Sequence, residues 1–236
     1  MRKIALAVPF LLLAVAAIRA EDAPATPPPL DTLEKKVAYG LGYQLGSQLK
    51  TQGATIDGDA LLRGLRDGLD GTAPVMSADA MDAAMAAFQK QLQANAVKIR
   101  AEQAAKNKRE GAAFLEKNKT AEGVQTTASG LQYKVVKAGT GQKPVGTDTV
   151  VVNYEGTFLD GTVFDSSYKR GKPETFGVTQ VIPGWTEGLQ LMDVGSTYLL
   201  YIPSDIAYGE NPPPQFRIPP NATLVFKVEL LEIHKR

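Results

Sequence analysis

The chain has no cysteine and only one histidine in 236 residues. Without cysteine there are no disulfides, thiolate nucleophiles, thiolate metal sites or lipids attached through a thiol. His234 lies so near the C-terminus that it reads as a solvated tail residue. Zinc chemistry and Cys-His or Ser-His-Asp catalysis therefore lack their parts. Charge of either sign is not in excess, with 26 basic and 25 acidic residues. Long apolar runs are also scarce. The one run, residues 4–17, follows Met1-Arg2-Lys3 and has the charged start and short apolar middle of a secretory signal, too short for a comfortable membrane span. Cleavage is expected after Ala17 or Ala20. The second site removes Arg2, Lys3 and Arg19 and leaves a near-neutral chain with no electrostatic case for nucleic acid. A secreted chain without disulfides points to a bacterial periplasm.

After a signal peptide over residues 1–20, the proline-rich residues 21–29 predict an extended leader. Asp31-Thr-Leu-Glu34 resembles a capping box that opens a helix. Leu33, Val37, Leu41, Leu45 and Leu49 draw one apolar stripe along that helix. Gly40, Gly42 and Gly46 interrupt it, each costing about 1 kcal/mol against alanine in a helix interior, and the simplest reason is close approach of a neighbouring helix. They follow no strand, so they are not a dinucleotide fingerprint. Gly139-x-Gly141 follows a strand but leads to Pro144 and not to a helix.

A second helix is expected over residues 59–69, with Leu61, Leu62, Leu65 and Leu69 on its buried side and Gly71 past its end. Two such helices are too small to fold unaided and must pack on the rest of the chain or on another copy. A third helix should start near Ser77, with Met81, Met85, Phe88, Leu92 and Ile99 marking its first half. Beyond Ile99 the Ala, Glu, Gln, Lys and Arg content still favours helix, read as a solvent-exposed continuation of a rod on the order of 60 Å long. Its basic residues alternate with Glu102, Glu110 and Glu116, which favours a solvated connecting helix over a nucleic-acid arm.

After Gly123 the pattern changes to strands. Leu131, Tyr133 and Val135 alternate with polar residues, as do Val150, Val152 and Tyr154, and later Leu224, Phe226, Val228 and Leu230. Residues 197–203 form a more evenly apolar strand, and residues 183–190 are the one place for a short helix. The fold class is α+β: a C-terminal twisted antiparallel sheet wrapped on a short helix, preceded by an all-helical N-terminal domain with a long connecting helix.

Residues 150–189 concentrate aromatic and β-branched side chains, an Asp160-Gly161 turn and the only tryptophan. They can build a small apolar cup from Tyr154, Phe158, Phe164, Phe176, Val181, Ile182 and Trp185. Asp165 and Asp205 are the nearby carboxylates. A glycoside-hydrolase pair is one reading of them, but Ser204-Asp205-Ile-Ala looks like a turn. The stretch has no nucleophile-base pair, cofactor loop or metal cluster. Two glycosylation sequons, Asn118-Lys-Thr and Asn221-Ala-Thr, read as chance matches.

Val152-Asn-Tyr154-Glu-Gly156-Thr-Phe-Leu-Asp-Gly161-Thr-Val-Phe164-Asp165-Ser166-Ser167, Val181-Ile182-Pro-Gly184-Trp185-Thr-Glu-Gly188, Ala207-Tyr208-Gly209 and Ile218-Pro219-Pro220-Asn221-Ala-Thr-Leu224-Val-Phe226 resemble the successive signatures of FKBP-type peptidyl-prolyl cis-trans isomerases. They come in family order and cover nearly all of residues 124–236. Tyr39-Gly-Leu-Gly-Tyr43 through Phe88-Gln-Lys-Gln-Leu92 resembles, more loosely, the helical domain of the dimeric periplasmic members, the macrophage infectivity potentiator group.

The resemblance implies a helical dimerisation domain over residues 30–122, pairing through 30–92, and an isomerase domain over 123–236. It implies a pocket of Tyr154, Phe164, Phe176, Val181, Trp185, Ile218 and Phe226, with Trp185 as its floor. Catalytic roles fall to Asp165 beside the twisting bond and to the Tyr208 hydroxyl and Ile182 N–H on the substrate carbonyls. It implies proline-containing unfolded or partly folded polypeptides as substrates, macrolide-type inhibitors, no metal and no cofactor, and a periplasmic protein that can associate with the cell surface. The alternative function is a holding chaperone with isomerisation secondary. The loop Gly209-Glu-Asn-Pro212-Pro-Pro-Gln-Phe216-Arg-Ile218 departs from the family, replacing a glycine-rich loop with a stiffer one.

Overall fold

The computed structural model describes residues 29–235, so the expected signal peptide and most of the leader lie outside the described residues. The chain divides into two compact units between Gln48 and Leu49. No described helix is long and apolar enough to cross a membrane.

Helix α1 (Leu33–Thr51) begins one residue later than the capping box implied. Thr32 Oγ1, not Asp31, accepts from a backbone N–H, that of Lys35 (3.4 Å). Asp31 instead pairs with the Lys35 ammonium, because its side chain is one position too early to reach the free amides. Leu33, Val37, Leu41 and Leu45 are all exposed. Carbon atoms built onto Gly40, Gly42 and Gly46 would meet nothing within 4 Å, so no neighbour within the described residues explains those glycines. Helix α2 (Gly58–Leu69) is capped by Asp57, which accepts from Ala60 N–H. Its stripe of Leu61, Leu62, Leu65 and Leu69, expected to be buried, is exposed in the single chain.

Helix α3 (Ala78–Asn118) starts at the Ser77 cap and runs for 41 residues, about 60 Å. Its second half departs from the expected solvated rod. Ala104 and Gly111 are buried, and Ala104, Asn107, Gly111, Phe114 and Asn118 recur at helical spacing along one covered edge that the exposed Arg100 extends. This stripe escapes hydropathy because, Phe114 apart, small and polar residues form it. Gly111 is needed there: a Cβ would lie 2.2 Å from Thr223 Oγ1.

The sheet comprises β1 (Val124–Thr126), β2 (Gln132–Lys137), β3 (Thr149–Thr157), β4 (Val163–Ser166), β5 (Glu174–Gly177), β6 (Thr197–Ile202) and β7 (Leu224–His234). Its order is β1-β2-β6-β7-β3-β4, all antiparallel, with β5 also pairing β3. Strand β3 forks: Thr149–Val152 pair with β5 and Glu155–Thr157 with β4. Val150, Val152 and Tyr154 are buried on alternate positions, as are Leu224, Phe226, Val228 and Leu230, the period-two signature of one face on a core. Helix α5 (Pro183–Leu191) fills that face, entered through Pro183 at its first turn, where a missing N–H costs nothing. Gly184 and Gly188 let it lie close to Ile202 and Leu200.

The opposite face of β2 and β6 is covered by α3. Gln132 is buried and donates to Leu115 C=O (2.8 Å), and its side-chain oxygen accepts from Asn118 (2.9 Å). Phe114 packs on Tyr201, ring centroids 5.9 Å apart. Burial at Gln132 is therefore polar but satisfied, which removes its desolvation cost. His234 ends β7, in register with Thr149, and its side chain is solvated as expected.

Candidate functional site

The fork in β3 makes the site. Where β4 and β5 diverge from the same strand, the core face between them opens into a cup of about 420 Å³. Trp185, from the first turn of α5, is its floor and is only 4 % exposed. Tyr154, Phe176 and Phe226 meet it nearly edge-on, at centroid distances of 5.2, 5.7 and 5.2 Å, the arrangement that ring quadrupoles favour. Phe164 stands edge-on to Phe226 at 5.5 Å and leans on Phe158 at 4.9 Å. Val181, Ile182, Tyr208 and Phe216 complete the rim with Gln180 and Asp165.

Local sequence places each of these side chains. Asp160 accepts from Thr162 N–H (2.9 Å) and Gly161 takes φ +85°, closing the β3–β4 turn that brings Phe164 and Asp165 back beside Gly156. Ser166 caps the single-turn α4 (Ser167–Arg170) by accepting from Lys169 N–H, and Gly171 ends it in the left-handed region at φ +73°. The buried Ser167 hydroxyl accepts from Tyr154 N–H at 2.8 Å. The effect is to turn Arg170 back onto Asp165.

Asp165, Tyr154 and Arg170 form a closed polar group on the cup wall. The Tyr154 hydroxyl donates to Asp165 Oδ2 and accepts from Arg170 Nη2 at 2.7 Å. Arg170 Nη1 pairs with Asp165 Oδ1, and its Nε donates to Glu174 Oε1 at 3.0 Å. One guanidinium thus ties the end of β4 to the start of β5. Burial alone would raise the Asp165 pKa. Hydrogen bonds from Tyr154 and Arg170, with the Arg170 charge, outweigh it and hold the carboxyl below its usual range. Burial and then the Asp165 hydrogen bond push the Tyr154 phenol up to about 12. Burial also raises Tyr208, with a contribution from the Asp165 charge.

Against this satisfied group stand three donors that have no partner among the described residues: the Ile182 N–H, the Tyr208 hydroxyl and Trp185 Nε1. All three belong to residues lining the cup. A cup with an apolar floor and unpaired donors suits a ligand that brings an apolar ring and carbonyl oxygens. It contains no nucleophile activated by a base, and no group of acidic or imidazole side chains among the described residues is arranged to hold a metal.

Of the residues expected at the site, Tyr154, Phe164, Asp165, Phe176, Val181, Ile182, Trp185, Tyr208 and Phe226 line the cup. Ile218 does not; it is buried in the core cluster. Gln180, Phe216 and Arg170 were not singled out. Phe216 packs at a tilt against Tyr208, ring centroids 5.2 Å apart, and only its place in the overhanging loop hinted at this. Asp205 sits in a 3-10 turn, Ser204–Ile206, and is not among the lining residues, so the carboxylate pair of a glycosidase is not assembled in the cup.

Two family models match the chain. One, described as the domain amino terminal to FKBP-type peptidyl-prolyl isomerase, covers residues 34–135, and one described as FKBP-type peptidyl-prolyl cis-trans isomerase covers 140–231. The chain is 46% identical over 206 residues to the outer membrane protein MIP of Legionella longbeachae, covering 87% of this chain and 88% of that one. It is 44% identical over 211 residues to the FKBP-type 22 kDa peptidyl-prolyl cis-trans isomerase of Escherichia coli, covering 88% and 99%. Among solved structures, FkpA from Escherichia coli superposes with a TM-score of 0.72 at 40% identity, covering 87% of this chain and 98% of that one.

Proposed function

Because the chain belongs to the FKBP-type peptidyl-prolyl cis-trans isomerases, we propose that the cup seats a substrate proline on Trp185 and twists the bond before it. The activity itself, isomerisation of X-Pro bonds in proline-containing polypeptides, is the family's. The residue roles are our reading, and one observation carries them: an aromatic cup with unpaired donors on Ile182, Tyr208 and Trp185, whose only carboxylate is already bound twice.

The chemistry needs little more. An X-Pro bond resists rotation by about 20 kcal/mol because the planar amide is resonance-stabilised. No bond breaks and no proton has to move. A dry cup disfavours the charge-separated planar form relative to the twisted one, and contacts to flanking residues can be realised in the twisted geometry. Several kcal/mol from both is a gain on the order of a thousandfold. Ile182 N–H and the Tyr208 hydroxyl would hold the substrate's carbonyls. Asp165, with its proton lost to a depressed pKa, would act as a fixed charge beside the bond, oriented by Arg170 and Tyr154. Prolyl-isomerisation assay of the intact mature chain on a short proline peptide tests this. No acceleration over the uncatalysed rate would sink it.

We further propose that the chain pairs with a second copy through residues 30–92, with the helical region as residues 30–122 and the isomerase domain as 123–236. The exposed leucine stripes on α1 and on α2, and the open space beside Gly40, Gly42 and Gly46, support this. A monomer in sedimentation would overturn it. Exposed apolar helix faces also suit accessory holding of unfolded clients, read by suppressed aggregation of a client whose folding no proline limits. The expected secretory signal and a relative named as an outer membrane protein support a periplasmic location with access to the cell surface, and the aromatic cup supports capture by macrolide-type inhibitors.

A further inference from the structure

The loop that overhangs the cup is held from outside the isomerase sheet. It leaves Gly209 and returns at Asn221, and its neck is closed by the Asn221 N–H donating to Gly209 C=O at 2.9 Å. Between these points three successive prolines, Pro212 to Pro214, fix φ and remove backbone donors, so the segment moves as a stiff strap. Its bends are at Gly209, φ +63°, and Arg217, φ +52°. The strap delivers Phe216 to the rim beside Tyr208.

Helix α3 grips both legs of that neck. Arg100 Nη2 donates to Glu210 C=O and to Asn211 Oδ1, both at 3.2 Å. Two turns further along, Asn107 Nδ2 donates to Pro220 C=O at 2.7 Å, and the Asn221 side chain reaches back to Ala104 C=O at 3.5 Å. Arg100 and Asn107 are seven residues apart, about 10 Å along the axis, and they hold the outgoing and returning legs respectively. Gly111 continues the same edge with its close approach to Thr223. No residue of this edge lines the cup.

We propose that Arg100 is a positioning residue: through the strap it sets how far Phe216 stands over the cup, and so selects for the side chain that precedes proline in the substrate. The inference rests on the isomerase reading of the cup. A bulky apolar side chain entering beside the proline would pack on Phe216, whereas an alanine would be too short to reach it. Charge-assisted donation to a backbone carbonyl and an amide oxygen is the stronger kind of hydrogen bond, and it holds the outgoing leg, which runs through the three prolines to Phe216.

The test uses the full mature chain and proline tetrapeptides that differ only in the residue before proline. In Arg100→Ala, KM for peptides with leucine or phenylalanine there should rise on the order of fivefold, the scale of one lost aromatic contact. With alanine there, KM should hold, and kcat should hold throughout. Arg100→Lys, which keeps a charged donor, should restore most of the preference. Gly111→Leu, which favours helix but separates α3 from Thr223, should reproduce the Arg100→Ala pattern. An unchanged preference in Arg100→Ala and Gly111→Leu overturns the proposal, as does an equal loss on every peptide, including a fall in kcat. A wild-type chain with no isomerase activity would instead overturn the reading of the cup, and the proposal with it.

Discussion

Adding one methyl group at Gly156 should cost both stability and activity, although alanine in place of glycine inside a strand ordinarily gains stability. Gly156 does not adopt a positive φ, so alanine is compatible with its backbone. On backbone entropy alone the substitution would stabilise by about 0.4–1 kcal/mol. Space decides otherwise. Gly156 lies in register with Phe226 on one side and Asp165 on the other, and a Cβ there would sit 2.7 Å from both Phe164 Cζ and Phe226 Cε1. Carbon atoms are comfortable at about 3.5–4.0 Å, so each ring must retreat by roughly 1 Å. Phe226 cannot: it is 4 % exposed, and its strand is paired on both sides. Phe164, on the short edge strand β4, must yield and carry Asp165 with it. Overpacking of this kind costs about 1–3 kcal/mol. The net effect should lower Tm by about 5–10 °C. Because the displaced wall bounds the cup proposed to hold the reacting bond, kcat/KM should fall roughly ten- to a hundredfold. Thermal melting by circular dichroism and a tetrapeptide isomerisation assay read the two effects. A Tm that rises, with kcat/KM intact, would refute the reasoning, since it would mean that the entropy gain outweighs the clash and that the wall is soft.

Three further outcomes follow from the same geometry. Asp165→Ala should lower kcat/KM on a short proline peptide while leaving the fold intact, and full retention of activity would dismiss the fixed-charge role. The Asp165 pKa is lowered on folding and that of Tyr154 is raised to about 12. Stability from Asp165 is therefore present above its unfolded pKa, near 3.9, and is lost as pH falls through the folded value. That from Tyr154 is present below about 10 and is lost as pH rises towards 12. Between roughly pH 6 and 9 neither group titrates, so kcat/KM should be flat there, and a bell-shaped profile in that window would reveal a general acid or base. Arg170→Ala should lower kcat/KM and return the acid limb of the stability curve towards higher pH, because Asp165 loses its cation; an unmoved acid limb would show that Tyr154 suffices.

The isomerase sheet was legible because its strands alternate cleanly, and because its turn and cap residues, Asp160-Gly161 and Pro183, are local signals. The cup was legible through its rings for the same reason. What escaped notice depends on geometry without a period. Arg170 reaches Asp165 only because the Ser166-capped turn of α4 folds the chain back between them, and nothing in a five-residue separation announces that. Ile218 was expected in the pocket by its place in a motif, yet the strap returns it to the core and presents Phe216 in its stead. The edge of α3 was hidden because Ala104, Asn107 and Gly111 act by being small or polar, which permits close approach and hydrogen bonding but leaves no hydrophobic stripe.

The lack of reactive groups in the cup becomes informative once the hydrogen bonds are followed. Buried polar groups are normally satisfied, and leaving one unpaired costs about 1–3 kcal/mol. Among the described residues, Trp185 Nε1 and Ser196 Oγ are the buried side-chain atoms without a partner, and the first of these lies at the floor of the cup. On the wall of the same cup, Asp165 is held by two partners. A site built for proton abstraction would leave its carboxylate free and near neutral in pKa. Here the carboxylate is tied down with its pKa depressed, while the donors on the floor and rim stand open. That division suits a substrate offering carbonyl oxygens and a ring, and a reaction in which only a torsion changes.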